Sequence, residues 1–206
     1  MGITTANRNH FIFITILAMI AAPFISRATL SISMILFIAA TTLHKNMGAQ
    51  FRNFFKTPWL VGMALLFLLP FVSGLWSADV QEWRNLVRIK LPLLLLPVAF
   101  AGNWQLRTYQ WRMAALLFLL VIIAGTAWSF EKYWVDRAAI SESYLRAKVF
   151  LTPLQNDHVR FSWLVAVATL LCLYFIDCEK RWLKVVAVIC VVWFSIYLHL
   201  SQRLIL

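Results

Sequence analysis

The feature that most constrains this chain is a succession of apolar blocks, each about 15 to 20 residues long, running almost from end to end. Blocks of this length are able to cross, or nearly cross, the hydrocarbon core of a bilayer as α-helices. Only 13% of the 206 residues are charged, whereas soluble proteins carry about 25%. The pattern predicts an all-α, polytopic integral membrane protein and excludes an ordinary soluble domain.

We predict about seven transmembrane helices within a single domain over residues 1–206, with an outer loop at about 131–157. The spans lie at about 11–25, 28–43, 58–76, 91–101, 113–130, 158–176 (or 161–176) and 182–200. The first block resembles a signal peptide, but the next block follows almost at once, which favours a retained helix. The fourth block is short and contains two prolines, so it must borrow length from the preceding helix or be re-entrant.

A short interfacial amphipathic helix is predicted between the third and fourth spans, at residues 79–90. Asp79 is placed to cap it, with Glu82 three residues further on. An apolar stripe follows at helical spacing: Trp83, Leu86 and Val87. Arg84 and Arg88 are four residues apart on one face, where they either pair with acids and lipid or present two guanidinium groups to a ligand phosphate.

The charge balance is strongly positive, with 19 Lys and Arg against 8 Asp and Glu. Because basic residues gather at the ends of the apolar blocks, they predict contact with anionic membrane lipids. No basic stretch is interleaved with exposed aromatics, so nucleic acid is not expected as a partner. Cys172, Cys178 and Cys190 have no metal-ligand spacing and are interpreted as reduced packing residues. We expect no metal and no cofactor.

With the N-terminus in the cytoplasm, the acid-free basic connection at 44–57 is also cytoplasmic, and seven crossings put Arg203 outside. The outer side then carries cations suited to a pyrophosphate: Arg84, Arg88, Lys90, Arg146, Lys148, Arg160 and Arg203, together with His158. The glycines form neither a phosphate-binding loop nor a dinucleotide motif, and no soluble-type active site is visible.

Two helix ends on this outer side, the start of the sixth span and the end of the seventh, are candidate sites. At the start of the sixth span, either Asn156 or Asp157 caps the helix, His158 is an acid–base candidate, and Arg160 is an anion-binding candidate. The alternative for both is a structural or lipid-facing role. At the end of the seventh span, Arg203 either points at a substrate headgroup or extends to the interface as an ordinary membrane-flanking arginine.

Four segments together resemble the N-terminal half of the O-antigen ligase family, which also includes Wzy-type polymerases. The segments are 73–79 (SGLWSAD), 90–97 (KLPLLLLP), 156–162 (NDHVRFS) and 199–203 (HLSQR). The resemblance implies a metal-independent glycosyltransferase of the bacterial inner membrane. Such enzymes transfer a glycan from undecaprenyl pyrophosphate to lipid A-core or a similar glycolipid acceptor at the periplasmic face.

The resemblance also implies a role for Arg203 and the lack of a counterpart to the family's catalytic loop. Arg203 matches the family arginine that contacts the pyrophosphate, and fixed guanidinium groups are able to stabilise the charge that the leaving group gains. The family's catalytic loop belongs to its C-terminal half, which has no counterpart here, so the catalytic residues are unknown. We expect a partial ligase that is inactive alone.

Two other classes of function are weighed against this one. A non-catalytic membrane scaffold or lipid-binding protein predicts the same hydropathy but no dependence of glycan-lipid binding on these arginines. A small transporter predicts charged residues buried in the middle of spans, whereas the charges here gather at the ends.

Overall fold

The computed structural model describes residues 5–43, 47–102, 104–135, 152–154, 157–178 and 181–203. In these ranges all regular structure is helical, which confirms the all-α prediction. The helices are α1 (Thr5–Ile25), α2 (Arg27–Thr42), α3 (Met47–Lys56), α4 (Pro58–Leu65), α5 (Leu68–Val72), a 3₁₀ turn (Ser73–Leu75), α6 (Val80–Lys90), α7 (Pro92–Phe100), α8 (Thr108–Val135), α9 (His158–Cys178) and α10 (Arg181–Arg203).

Five helical stretches of the described chain are long and apolar enough to cross a membrane: 7–25, 58–75, 108–132, 159–177 and 181–199. A sixth crossing results only if α2 and α3 count together as one bent span. The predicted number of about seven transmembrane helices is therefore approximate. At 1.5 Å per residue, α2 is about 24 Å long and α7 about 14 Å, both shorter than a hydrocarbon core of about 30 Å. The architecture is that of a multi-pass membrane protein.

The described residues divide into two compact units. The first contains residues up to 22 and residues 26–110, and the second contains residues 23–25 and those from 111 onward. In the first unit, the third predicted span is broken where α4 ends and α5 begins. The break at Leu66 lies four residues before Pro70, whose ring clashes with the carbonyl one helical turn earlier.

The short fourth span packs as a half-helix inside the first unit. The helix α4 contacts the end of α7 through a small apolar cluster that includes Ala64 and, directly after α7, Ala101. The α6 segment that precedes α7 contacts α5 at Trp83. Thus α6 and α7 together run back along α4 and α5, and neither helix belongs to the stretches that are long and apolar enough to cross a membrane. Phe37 of α2 contacts Phe100, with ring centroids 5.0 Å apart.

The connection at 44–57 was predicted only as a polar, basic segment, and most of it is the helix α3. The missed signal is an amphipathic repeat with apolar residues at i, i+4, i+7 and i+8: Met47, Phe51, Phe54 and Phe55. On the side that faces the rest of the unit, Gln50 is buried and its amide nitrogen donates to the Val98 carbonyl oxygen of α7 at 2.7 Å.

The second unit is built around α8, α9 and α10, which we call the α8–α10 bundle. Its core consists of buried apolar side chains from all three helices: Leu119, Ile122, Phe161, Val165, Ala168, Cys172, Phe175, Ala187, Cys190, Phe194 and Tyr197. Cys172 and Cys190 are free thiols in this core, as predicted. The side chain of Cys178 lies outside the described residues.

Candidate functional site

The predicted interfacial helix is present as α6, and Asp79 caps it. The backbone amides of Gln81 and Glu82 donate to Asp79 Oδ1 at 2.8 and 3.0 Å. These two bonds satisfy amides that the first helical turn leaves unpaired. Arg84 and Arg88 follow on one face, both exposed. The cap fixes the first residue of α6, and with it the positions of Arg84 and Arg88 along the helix.

A tryptophan clamp holds α6 against α5. The Trp83 indole nitrogen donates to the Pro70 carbonyl oxygen at 3.0 Å, and the ring lies 6.4 Å from that of Phe71, centroid to centroid. The indole rests on Gly74, where a methyl group would approach the ring to 2.3 Å. Only a glycine permits this approach without a shift of the ring. The segment 73–79 therefore positions α6 through Gly74 as well as through Asp79.

A small groove lies beside the clamp. It has a volume of about 200 Å³ and is lined by Ser73, Ser77, Glu82, Trp83 and Leu86. The Ser77 hydroxyl donates to the Asp79 carbonyl oxygen at 2.9 Å, so it supports the cap. The groove presents a carboxylate, and Arg84 and Arg88 are not among the residues that line it.

In the second unit, α9 and α10 pack as an antiparallel hairpin. The rings of Phe161 and Tyr197 meet edge to face, with centroids 5.8 Å apart. Phe161 lies in the first turn of α9 and Tyr197 lies near the end of α10. The start of α9 and the end of α10 therefore lie at the same end of the bundle, which we call the Arg160 end.

The third helix of the bundle reaches the same end. The Trp193 indole nitrogen donates to the Thr126 hydroxyl oxygen at 2.9 Å, and the Phe130 ring lies 5.9 Å from that of Trp193. Gly125, next to Thr126 in α8, also lies close to the Phe161 ring in the first turn of α9. This part of α8 therefore lies beside the Arg160 end.

Asp157 is the cap of α9, one of the two alternatives weighed from the sequence. Its Oδ1 accepts the backbone amide of Arg160 at 3.1 Å, and its Oδ2 accepts Arg160 Nε at 2.9 Å. The Arg160 side chain remains 75% exposed. A guanidinium group has five N–H donors, so an ion pair through Nε leaves this side chain chemically able to bind an anion.

The remaining predicted residues are placed only in part. His158 is the first residue of α9 and Arg203 the last of α10, but the side chains of both lie outside the described residues. Arg146 and Lys148, and most of the predicted outer loop, also lie outside them. His199 is exposed one turn before the end of α10. The hairpin therefore brings the backbone positions of Arg160 and Arg203 to one end, while Arg84 and Arg88 belong to the other unit.

No family model, curated protein or solved structure matches this chain. The O-antigen ligase relationship therefore stays a hypothesis that rests on the quoted segments. Among the described residues, no group of three or more His, Cys, Asp and Glu side chains is arranged to hold a metal ion.

Sequence reasoning missed the residues that build the Arg160 end. Gly125 lies where a methyl group would be 3.0 Å from both Phe24 and Phe161. Thr126 and Trp193 join α8 to α10, as described above. The available signal was a Gly-Thr pair inside an otherwise apolar span, because small residues in transmembrane helices mark places of close helix packing.

The double role of Asp157 leads to a stability prediction. Asp157→Ala removes the cap and is expected to lower the free energy of unfolding of the bundle by about 1 kcal/mol. Asp157→Asn keeps a capping side chain and is expected to be nearly neutral, because an exposed ion pair contributes little. Thermal unfolding in nanodiscs measures both. Equal destabilisation by the two substitutions would contradict the capping role.

Proposed function

We propose that this protein is an O-antigen-ligase-like membrane protein that binds the pyrophosphate of an undecaprenyl-pyrophosphate-linked glycan. The binding position is the Arg160 end of the α8–α10 bundle. Transfer of the glycan to lipid A-core or a similar glycolipid, at the periplasmic face of a bacterial inner membrane, is the reaction that the resemblance implies. A ligase and a polymerase differ here only in the acceptor.

A single observation carries this proposal. Arg160 and Arg203 come from two quoted segments that are far apart in the chain, and the antiparallel α9–α10 hairpin has these segments at one end, with Phe161 packed on Tyr197. Two arginines at one end of a bundle match the two phosphate groups of a pyrophosphate. A lipid-linked ligand would keep its chain in the bilayer and its headgroup at that end.

Transfer of a glycan from a pyrophosphate requires fixed positive charge near the leaving group. When an acceptor hydroxyl attacks the anomeric carbon, the bond from that carbon to the pyrophosphate oxygen breaks and the leaving group gains negative charge. Guanidinium groups bind phosphate oxygens in bidentate fashion and stabilise that charge without a proton transfer of their own. Arg203 and Arg160 supply this role in the proposal. The base that accepts the hydroxyl proton is unassigned.

Binding of undecaprenyl pyrophosphate to the full chain in nanodiscs tests the proposal. Arg160→Gln and Arg203→Gln are each expected to weaken binding roughly tenfold, since a hydrogen bond to a charged group contributes about 1.5 to 3 kcal/mol. The matched control is Arg181→Gln, because Arg181 is exposed at the first residue of α10, at the opposite end of the same hairpin. It is expected to leave binding unchanged.

Two further comparisons sharpen the result. Asp157→Asn removes the carboxylate that competes for Arg160 and is expected to strengthen binding of the pyrophosphate. Undecaprenol, which lacks the pyrophosphate, is expected to bind much more weakly. Equal affinity for both lipids, with no response to either arginine, would favour the scaffold or general lipid-binding alternative instead.

A further inference from the structure

One face of α3 has no role in the proposal above. Its exposed side chains include three large apolar groups and two basic ones, and the helix contains no acid. We propose that α3 lies in the membrane–water interface and binds anionic phospholipid headgroups through Arg52 and Lys56. This inference is independent of the proposed function, because it concerns the other unit of the chain.

Successive residues of a helix point 100° apart, and on α3 this spacing separates three adjacent strips. The first strip faces the protein and contains the buried residues Gln50 and Phe54. The second is apolar and exposed, with Met47, Phe51 and Phe55 at 43%, 46% and 71% exposure. The third is basic and exposed: Arg52 and Lys56. The order protein, apolar, basic is the arrangement expected for a helix that rests on a bilayer beside its own transmembrane domain.

The direction of α3 agrees with this arrangement. Its axis is turned by 107° from that of α2, an apolar helix that precedes it closely in the chain. The apolar helix α4 begins at Pro58, directly after α3 ends. A helix that turns nearly perpendicular to the apolar helix before it runs along the membrane surface in this proposal, where Phe51 and Phe55 reach the acyl chains and the basic strip reaches the headgroups.

The positive charge of the basic strip indicates which ligand binds α3. The chain contains no Asp or Glu before Asp79. In the whole first unit the only acids are Asp79 and Glu82, and Asp79 is engaged as the cap of α6. The positive charge of Arg52 and Lys56 therefore has no acidic partner on α3 or its neighbours in sequence. Anionic headgroups supply the compensating charge.

Photo-crosslinking of lipids in nanodiscs tests the proposal on the full chain. Phe55 is replaced by p-benzoylphenylalanine, and lipid adducts are counted by mass spectrometry in nanodiscs that contain equal parts of phosphatidylglycerol and phosphatidylcholine. Because each basic side chain near a membrane contributes about 1 kcal/mol of attraction to anionic lipid, we expect phosphatidylglycerol adducts to exceed phosphatidylcholine adducts by roughly threefold or more. The same probe at Leu170, which is 66% exposed in the middle of α9, is expected to report equal adducts.

The basic pair is then removed in the probe background. Arg52→Gln with Lys56→Gln is expected to return the adduct ratio at residue 55 to one. Arg181→Gln with Lys184→Gln is the matched control and is expected to keep the enrichment. Equal adducts in the original sequence, or adducts from residue 55 to a second copy of the chain in place of lipid, would overturn the proposal.

Discussion

Replacing Gly125 by leucine is expected to prevent stable packing of α8 against α9. A methyl group at this position would already lie 3.0 Å from Phe161 Cζ and 3.0 Å from Phe24 Cε1. Both rings are held in place, since they meet edge to face at a centroid distance of 6.2 Å and Phe161 is fully buried. A leucine adds three more carbon atoms in the same direction. We expect the free energy of unfolding to fall by about 3 kcal/mol, the upper part of the usual range for overpacking.

Thermal unfolding in nanodiscs and the monodisperse fraction after extraction measure this effect. The matched control is Gly62→Leu, because Gly62 lies in the apolar helix α4 with no atom within 4 Å of an added methyl group. It is expected to be close to neutral. Unchanged stability of Gly125→Leu would contradict the described packing of the bundle.

A smaller change at the same place tests the contact itself. Gly125→Ala is expected to destabilise by about 1 kcal/mol, and Phe161→Leu removes part of the ring that the added methyl group would meet. Because the two residues touch, their effects are not expected to add. The double substitution should cost less than the sum of the single ones. Strict additivity would show that the clash involves Phe24 alone.

Gly74→Ala is expected to release α6 from α5. The added methyl group would approach the Trp83 indole to 2.3 Å, so the ring must leave its place. It then loses its hydrogen bond to the Pro70 carbonyl oxygen and its contact with Phe71. The combined loss is estimated at about 2 kcal/mol, from one hydrogen bond and partial loss of an aromatic contact.

Hydrogen exchange read by mass spectrometry measures this release locally. Amides of residues 80–90 are expected to exchange faster in Gly74→Ala, whereas those of α9 and α10 are expected to be unchanged. Gly48→Ala serves as the control, because nothing lies within 4 Å of an added methyl group there. If α6 kept its protection in Gly74→Ala, the tryptophan clamp would not be what holds this helix.

Several features of the fold were predictable because they depend on neighbours in sequence. The cap of α6 at Asp79 and the start of α4 at Pro58 follow from the needs of a helix's first turn. The half-length of the fourth span follows from counting the residues of the apolar block 91–101. The helix α3 is also encoded locally, since its short amphipathic repeat at residues 47–55 coincides with its basic charge.

The candidate site was only partly predictable, because it depends on contacts between residues that are far apart in the sequence. The sequence indicates which arginines flank the spans and on which side of the membrane they are expected, but it does not say which side chains of neighbouring helices touch. That depends on contacts such as Trp193 with Thr126, which are 67 positions apart, and Phe161 with Tyr197. Helix packing in a membrane is decided by shape and by a few hydrogen bonds, since apolar surface alone is satisfied equally by lipid.

The sequence by itself determined that this chain is a helical membrane protein, where the apolar part of most spans lies, and that its charges lie at their ends. These are properties of single helices and of their length relative to a bilayer. Only the tertiary structure decided that Phe161 packs on Tyr197 where α9 begins and α10 ends, that Gly125 and Gly74 make room for aromatic rings, and that Gln50 joins α3 to α7. The physical reason is that close packing selects one arrangement among many that bury the same apolar surface.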